Sequence, residues 1–177
     1  MTPPSALPDN PSAGGQRWVV MGVCGCGKST VGAALAQRLG VPFIEGDKFH
    51  PPENVTKMSA GFPLDDTDRA GWLRALAGEI GNARGRGEGL VVSCSALKRR
   101  YRDLLRQADP GLRFAHLQGP RELIADRLGK RTDHYMPPAL LDSQLRDLEP
   151  LQDDEGGVPL DIAQAPAALV ERIIHAG

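Results

Sequence analysis

The sequence predicts an α/β fold in three layers: a central parallel sheet of about five strands with helices on both faces. Three observations carry that prediction. Short, continuous apolar runs rich in Val and Ile recur along the chain, the pattern of strands buried on both sides. Between them lie segments whose apolar residues fall three and four apart, the spacing of helices with one buried stripe. The two patterns alternate, and alternation places sequential strands in parallel with helices crossing over between them.

Taken in order, the first 16 residues, MTPPSALPDNPSAGGQ, are rich in Pro, Ser, Gly and Asn and read as a mobile tail. Residues 17–177 then form one domain, the size expected for a chain of 177 residues. Trp18–Met21 is the first strand. Val31, Leu35 and Leu39 recur every fourth residue, and Gly40 stands where a helix C-cap belongs. Val41–Glu45 is the second strand, with Pro42 allowed only at its start or on a sheet edge. Trp72, Leu73, Leu76 and Ile80 make the next helical stripe, with Asp65, Asp66 and Thr67 as candidate caps. The Gly/Arg run Gly81–Gly89 reads as a surface loop whose Arg84 and Arg86 are solvated. Leu90–Ser93 is the third strand. Leu97, Tyr101, Leu104 and Leu105 follow as a helix that Ser95 could cap. Arg113–Leu117 and Val158–Ile162 are further strands. Leu123, Ile124 and Leu128 form a helix opened by Pro120, and Leu169, Val170, Ile173 and Ile174 form another after Pro166.

Composition narrows the function. The chain is 41% hydrophobic and 24% charged with a net charge of −1, so no broad field of either sign invites nucleic acid or a membrane surface. An anion site must therefore be local. Three cysteines, Cys24, Cys26 and Cys94, make an odd number without framework spacing, which fits a reduced, cytoplasmic protein. No apolar stretch approaches the ~20 residues of a membrane helix, and the amino terminus lacks the basic start and apolar run of a secretory signal.

Chemistry concentrates first at Gly22-Val23-Cys24-Gly25-Cys26-Gly27-Lys28-Ser29, which fits G-x-x-x-x-G-K-[ST] at every fixed position, between a strand and a helix. This is a phosphate-binding P-loop. Its glycines let the backbone turn successive N–H groups inward, and the helix that starts there, with Thr30 in its first turn, adds positive potential. Lys28 supplies a point charge to the β- and γ-phosphates of ATP, and the Ser29 hydroxyl is a ligand for Mg²⁺. Cys24 and Cys26 most simply pack as small residues. A helix N-terminus also lowers thiol pKa, so the second expectation is that they are oxidisable and shielded by ATP.

A P-loop alone does not separate kinases from GTPases and motor ATPases. A guanine-selective N-K-x-D is missing, and the D-x-x-G match at Asp68–Gly71 lies inside a helical pattern. The third strand ends in Ser93-Cys94-Ser95, without the carboxylate that usually closes that strand. Asp47, just beyond the second strand, is the best replacement, because ligands in this fold sit past the carboxyl ends of the strands. It could accept a proton from an attacking hydroxyl or hold a Mg²⁺-bound water.

Several motifs together then resemble one family. They are the P-loop, Gly-Asp-x-x-His-Pro at Gly46–Pro51, Asn54 with Lys57-Met58, the Pro63–Leu73 stretch, Cys94–Lys98 with Tyr101-Arg102-Asp103, and the segment from His134 to Gln144. From Trp18 to Ile174 the chain is similar to gluconokinases of the small P-loop type. The paired cysteines are a departure, since Ser-Gly-Ser is frequent there. The resemblance implies a fold related to shikimate kinase and ATP-dependent phosphorylation of D-gluconate at O6. It implies a sugar-acid site from Asp47, His50, Lys57, Arg69, Lys98, Arg102, His134 and Gln144, all types that hydrogen-bond hydroxyls or pair with a carboxylate. It also implies that Arg127 and Arg131 stack on adenine and reach the phosphates from a small lid at about 129–139, with Asp161–Pro166 beside the adenine. A homodimer is compatible with the family and has no sign of its own in the sequence.

Overall fold

In the computed structural model, residues 15–131 and 137–176 are described. The chain runs β1 (Arg17–Met21), α1 (Lys28–Leu39), β2 (Phe43–Glu45), a 3-10 turn (Gly46–Phe49), α2 (Pro52–Ser59), α3 (Asp66–Gly85), β3 (Leu90–Ser93), α4 (Arg99–Ala108), β4 (Arg113–Gln118), α5 (Arg121–Gly129), α6 (Pro138–Asp147), a second 3-10 turn (Asp153–Glu155), β5 (Gly157–Asp161) and α7 (Pro166–Ala176). The five strands form one parallel sheet in the order β2-β3-β1-β4-β5.

The period of two along β1 explains the layers. Val19 and Met21 face α3 and α4, where they join Trp72, Leu76, Ile80, Val92, Leu105 and Phe114 in one core. Trp18 and Val20 face the opposite way, joining Val31, Leu35, Ala115, Leu117, Leu169 and Ile173 beneath α1 and α7. Both faces of β1 are dry, which is why the strand reads as an unbroken apolar run. Pro42 falls just before β2, and β2 is an edge strand, as the missing N–H requires.

Helix ends follow local chemistry. Gly40 adopts the left-handed conformation that ends α1. Asp65 caps α3 in a reciprocal box with Asp68. Four expectations are corrected. Gly81–Gly85 belongs to α3, because Ile80 and Ala83 keep its stripe in the core despite the glycines. Ser95 does not cap α4, which starts four residues later at Arg99 after Lys98 and has no side-chain cap. Leu97 is buried ahead of that helix rather than in it. Finally, α2 and α6 appear where no helix was expected.

The tail assigned to residues 1–16 lies outside the described residues as far as 14. Gln16 is already engaged, its carbonyl accepting from the Leu90 N–H and its side chain from the Trp18 indole. Of the lid assigned to 129–139, residues 132–136 lie outside the described residues, and His134 with them. Among the described residues no helix is long and apolar enough to cross a membrane.

Candidate active site

The site lies past the carboxyl ends of β1, β2 and β3. The order of the strands explains its position: β1 connects to β2 on one side of itself and β4 lies on the other, so the crossovers diverge and open a crevice there. The P-loop follows β1 and is tied to the loop after β3 by the Gly22 N–H donating to the Ser95 carbonyl at 3.3 Å. Gly25 and Gly27 have φ of 81° and 95°, a region that a side chain at either position would strain. Gly27 thereby ends the loop and starts α1 in one residue.

Two adjoining cavities flank the loop. The larger, about 620 Å³, is lined by Cys24, Gly25, Gly27, Lys28 and Ser29 on one wall, by Glu45, Asp47, His50, Arg69 and Trp72 on another, and by Arg131, Ser143 and Gln144. The smaller, about 240 Å³, lies between Gly25, Cys26, Gly27, Thr30 and Val31 and the side chains of Arg127, Arg131, Ile162, Gln164, Pro166 and Leu169. Arg131 borders both cavities.

Most of the residues singled out in the sequence therefore converge. Lys28 points its ammonium back to the Val23 carbonyl at 2.9 Å. Burial opposes that charge, but the negative field around it raises its pKa above the ordinary lysine value. Asp47 is the anion that matters there, because the neighbouring thiols stay protonated. Gln144 accepts from the Cys24 N–H at 2.7 Å, so α6 is joined directly to the phosphate loop. Arg69 is buried, donating to the Tyr101 hydroxyl at 3.0 Å and pairing with Asp147 at 3.2 Å. Arg127 donates to the Ile162 carbonyl at 2.7 Å. Gly22 and Val23 lie buried behind the loop.

Three expected contributors to the sugar-acid pocket are engaged elsewhere. Lys57 pairs with Asp68 at 2.6 Å and Lys98 with Asp66 at 3.1 Å, both at the N-terminus of α3. Arg102 is 0% exposed. It forms a two-pronged pair with Glu155 at 2.7 and 3.0 Å and donates to the carbonyls of Ala96, Leu97 and Glu149. All of its nitrogens are bonded within the protein, and it lines neither cavity. Arg99, read as solvated charge, grips Asp154 with both terminal nitrogens at 2.8 Å.

The thiols are not activated. Burial pushes Cys24 up to about 11 and Cys94 up to about 12, and raises Cys26 as well. Desolvation outweighs the pull of Lys28 and the helix terminus, so these side chains act as small packing groups and not as oxidisable thiolates.

Sequence reasoning missed Glu45 and Ser93. The Ser93 hydroxyl donates to Glu45 at 2.6 Å and accepts from the Gly46 N–H at 3.1 Å. The strand lacking a terminal carboxylate thus holds one that belongs to its neighbour. The signal was present in Glu45-Gly46-Asp47, where both acids lie at a strand's carboxyl end. Gly46 is required for close approach: a Cβ there would lie 1.9 Å from the Ser93 carbonyl oxygen. Trp72, read as core, also has a site task, donating from its indole to the Gly46 carbonyl at 2.8 Å and so bracing the turn that carries Asp47.

The oxygen donors fit a hard divalent cation. The Ser29 hydroxyl and the carboxylates of Asp47 and Glu45 line one cavity with Lys28. Mg²⁺ uses one or two protein ligands and keeps its waters, and no group of three His, Cys, Asp or Glu suited to a metal occurs among the described residues.

The chain matches the shikimate kinase family over residues 24–155. It is 47% identical to a gluconokinase of Gluconobacter oxydans (strain 621H) over 157 residues, covering 89% of this chain and 88% of that protein. It is 40% identical to the thermosensitive gluconokinase of Escherichia coli (strain K12) over 159 residues, covering 89% and 85%. The structure of a gluconokinase from Sinorhizobium meliloti 1021 superposes with a TM-score of 0.83 at 48% identity over 91% of this chain and 90% of that one. The shikimate kinase of Aquifex aeolicus shares the fold at 15% identity, with a TM-score of 0.58 over 91% and 95% of the two chains.

Proposed function

Because this chain belongs to the shikimate kinase family and groups within it with gluconokinases, we propose that it transfers the γ-phosphate of ATP to O6 of D-gluconate, giving ADP and 6-phosphogluconate. One observation supports this above the rest: a single cavity has the P-loop residues Lys28 and Ser29 on one wall and Asp47, His50 and Arg69 on the other. A phosphate donor and a polyhydroxy acid laid against those walls meet over Asp47.

The smaller cavity suits the adenine end, with Arg127 and Arg131 supplying a planar cation for stacking and a fork for phosphate oxygens. Lys28 and the inward N–H groups neutralise the phosphates. Ser29 and, through water, Glu45 would hold Mg²⁺, which would supply charge neutralisation at the β- and γ-phosphates. With Glu45 fixed by the Ser93 hydroxyl, Asp47 is left to take the proton of the attacking hydroxyl. That oxygen forms the new bond to phosphorus as the bond to the β,γ-bridging oxygen breaks, and ADP leaves. Catalysis is mostly positioning and charge neutralisation. Arg69 and His50 supply the cation and the polar ring for the sugar acid. The three cysteines are all free, which supports a reducing, cytosolic setting.

A coupled assay of ADP release tests this with gluconate, shikimate and a panel of other hydroxy acids and nucleosides. Gluconate should give the highest kcat/KM. Preference for another acceptor, or no acceptor-dependent release, would overturn the assignment.

A further inference from the structure

Three groups in the acceptor half of the larger cavity have the chemistry of a general base, Glu45, Asp47 and His50. Glu45 is engaged by the Ser93 hydroxyl at 2.6 Å, which leaves Asp47 and His50. The hydrogen bonds around His50 distinguish them. His50 stacks on Trp72, with ring centroids 4.0 Å apart and planes 18° from parallel, so its ring cannot rotate freely. Its Nδ1 lies 3.2 Å from Nδ2 of Asn54, a residue that is 4% exposed. The same Asn54 Nδ2 donates to the Asp68 carbonyl at 2.8 Å. A backbone carbonyl can only accept, so the atom facing it is the amide nitrogen and not the amide oxygen. That nitrogen carries two hydrogens. One goes to Asp68 and the other points at His50, whose Nδ1 must then be the bare, accepting nitrogen. The proton of the neutral ring therefore sits on Nε2, which makes no hydrogen bond to another described residue and is not among the buried unpaired atoms.

We propose that Asn54 is a positioning residue that holds His50 in the Nε2–H tautomer, so that His50 meets the acceptor as a hydrogen-bond donor and never as its base. Proton removal then falls to Asp47 alone. The donor suits a hydroxyl or carboxylate oxygen of the sugar acid. Burial agrees with a neutral ring, pushing the His50 pKa below its ordinary value while Asp47 counters in part. The role of the tautomer in acceptor binding rests on the kinase reading given above; the tautomer itself does not.

The test has a spectroscopic arm and a kinetic arm. Two-dimensional ¹⁵N–¹H spectra of the labelled enzyme at neutral pH should show His50, identified by its loss in His50→Gln, with a bare Nδ1 and a protonated Nε2. A protonated Nδ1, or an imidazolium, overturns the proposal. Asn54→Asp exchanges the donor for an acceptor and should move the proton to Nδ1 or charge the ring. It should raise the acceptor KM about tenfold, the worth of one hydrogen bond, with the KM for ATP unchanged. Because Asn54 also braces Asp68, His50 variants give a second route. His50→Ala should raise the acceptor KM about tenfold. His50→Gln keeps an N–H near the Nε2 position and should recover part of that loss, whereas a base role predicts that both variants lose kcat equally. An intact Nε2–H signal in an enzyme without gluconate-dependent turnover would overturn the acceptor half of the proposal and the function assigned above, and leave the tautomer standing.

Discussion

Asp47 stands two residues past the end of β2 on a turn braced by Trp72, with Glu45 beside it in the same cavity. If Asp47 takes the proton, Asp47→Asn should lower kcat by roughly 10²–10⁴-fold, the worth of a general base. ATP affinity, measured by calorimetry with Mg²⁺ present, should stay within a few-fold. Collapse of that affinity would instead give Asp47 to the metal. Lys28→Ala should lower kcat by at least about 10²-fold, since it removes a charge aimed at developing phosphate charge; near-normal turnover would sink its role. Lys28 was legible because the P-loop is a local object, with every part inside eight residues of sequence. Arg102 was not. Its neighbours in sequence place it with Lys98 on a polar helix start, yet it pairs with Glu155, 53 residues away. Burial and long-range pairing are tertiary quantities, and no spacing rule reports them. The same holds for Glu45, whose importance shows only once Ser93 from another strand is seen to hold it.

At the scale of elements, Arg102 and Glu155 connect α4 to the turn before β5, and through the Ala96 and Leu97 carbonyls to the loop after β3. That loop reaches the P-loop through the Ser95 carbonyl. Both members of the pair have side chains 0% exposed, so removing one leaves a buried charge without a partner. Glu155→Ala should cost about 3–5 kcal/mol and lower Tm by on the order of 10 °C in a domain of this size. Neither side chain lines a cavity, so the KM values for ATP and gluconate should hold in the folded fraction. A variant of normal stability with a raised gluconate KM would return Arg102 to the substrate site. The elements themselves were legible to different degrees. The strands and α1, α3, α5 and α7 follow their apolar periods. The helices α2 and α6 escaped because each opens on a proline that reads as loop, Pro52 and Pro138, and because each is short, so tertiary contacts and not propensity decide it.

The whole molecule was the most legible scale, because alternation of strand and helix restricts the topology to a few parallel arrangements and the P-loop fixes which crevice is used. What alternation does not report is how the folded chain responds to acid. His116 lies on β4, an interior strand of the sheet, 2% exposed, with no hydrogen bond to its Nε2 among the described residues. Burial, reinforced by the nearby Arg102 guanidinium, lowers its pKa from an ordinary 6.5 to about 4. Between those values the unfolded chain binds a proton that the native chain refuses, so stability falls as pH drops from 6.5 to 4, by about 3 kcal/mol at 1.36 kcal/mol per unit. Glu155 acts in the next window. Burial alone would raise its pKa, but hydrogen bonds from Arg102, Gln152 and Arg106 hold it down to about 2 against an ordinary 4.5. Its contribution is present above pH 4.5 and is lost as the carboxylate is protonated on the way to pH 2. Acid denaturation should therefore begin with His116 and finish with Glu155. His116→Phe removes the first group and fills the site with a ring of similar shape. Urea midpoints measured from pH 7 to pH 4.5 at constant m-value should fall steeply for the parent chain and clearly less steeply for His116→Phe, in which only the lowered pKa of His50 still acts among the described histidines, with no loss of stability at pH 7. Parallel curves for the two proteins would place the acid sensitivity elsewhere in the fold.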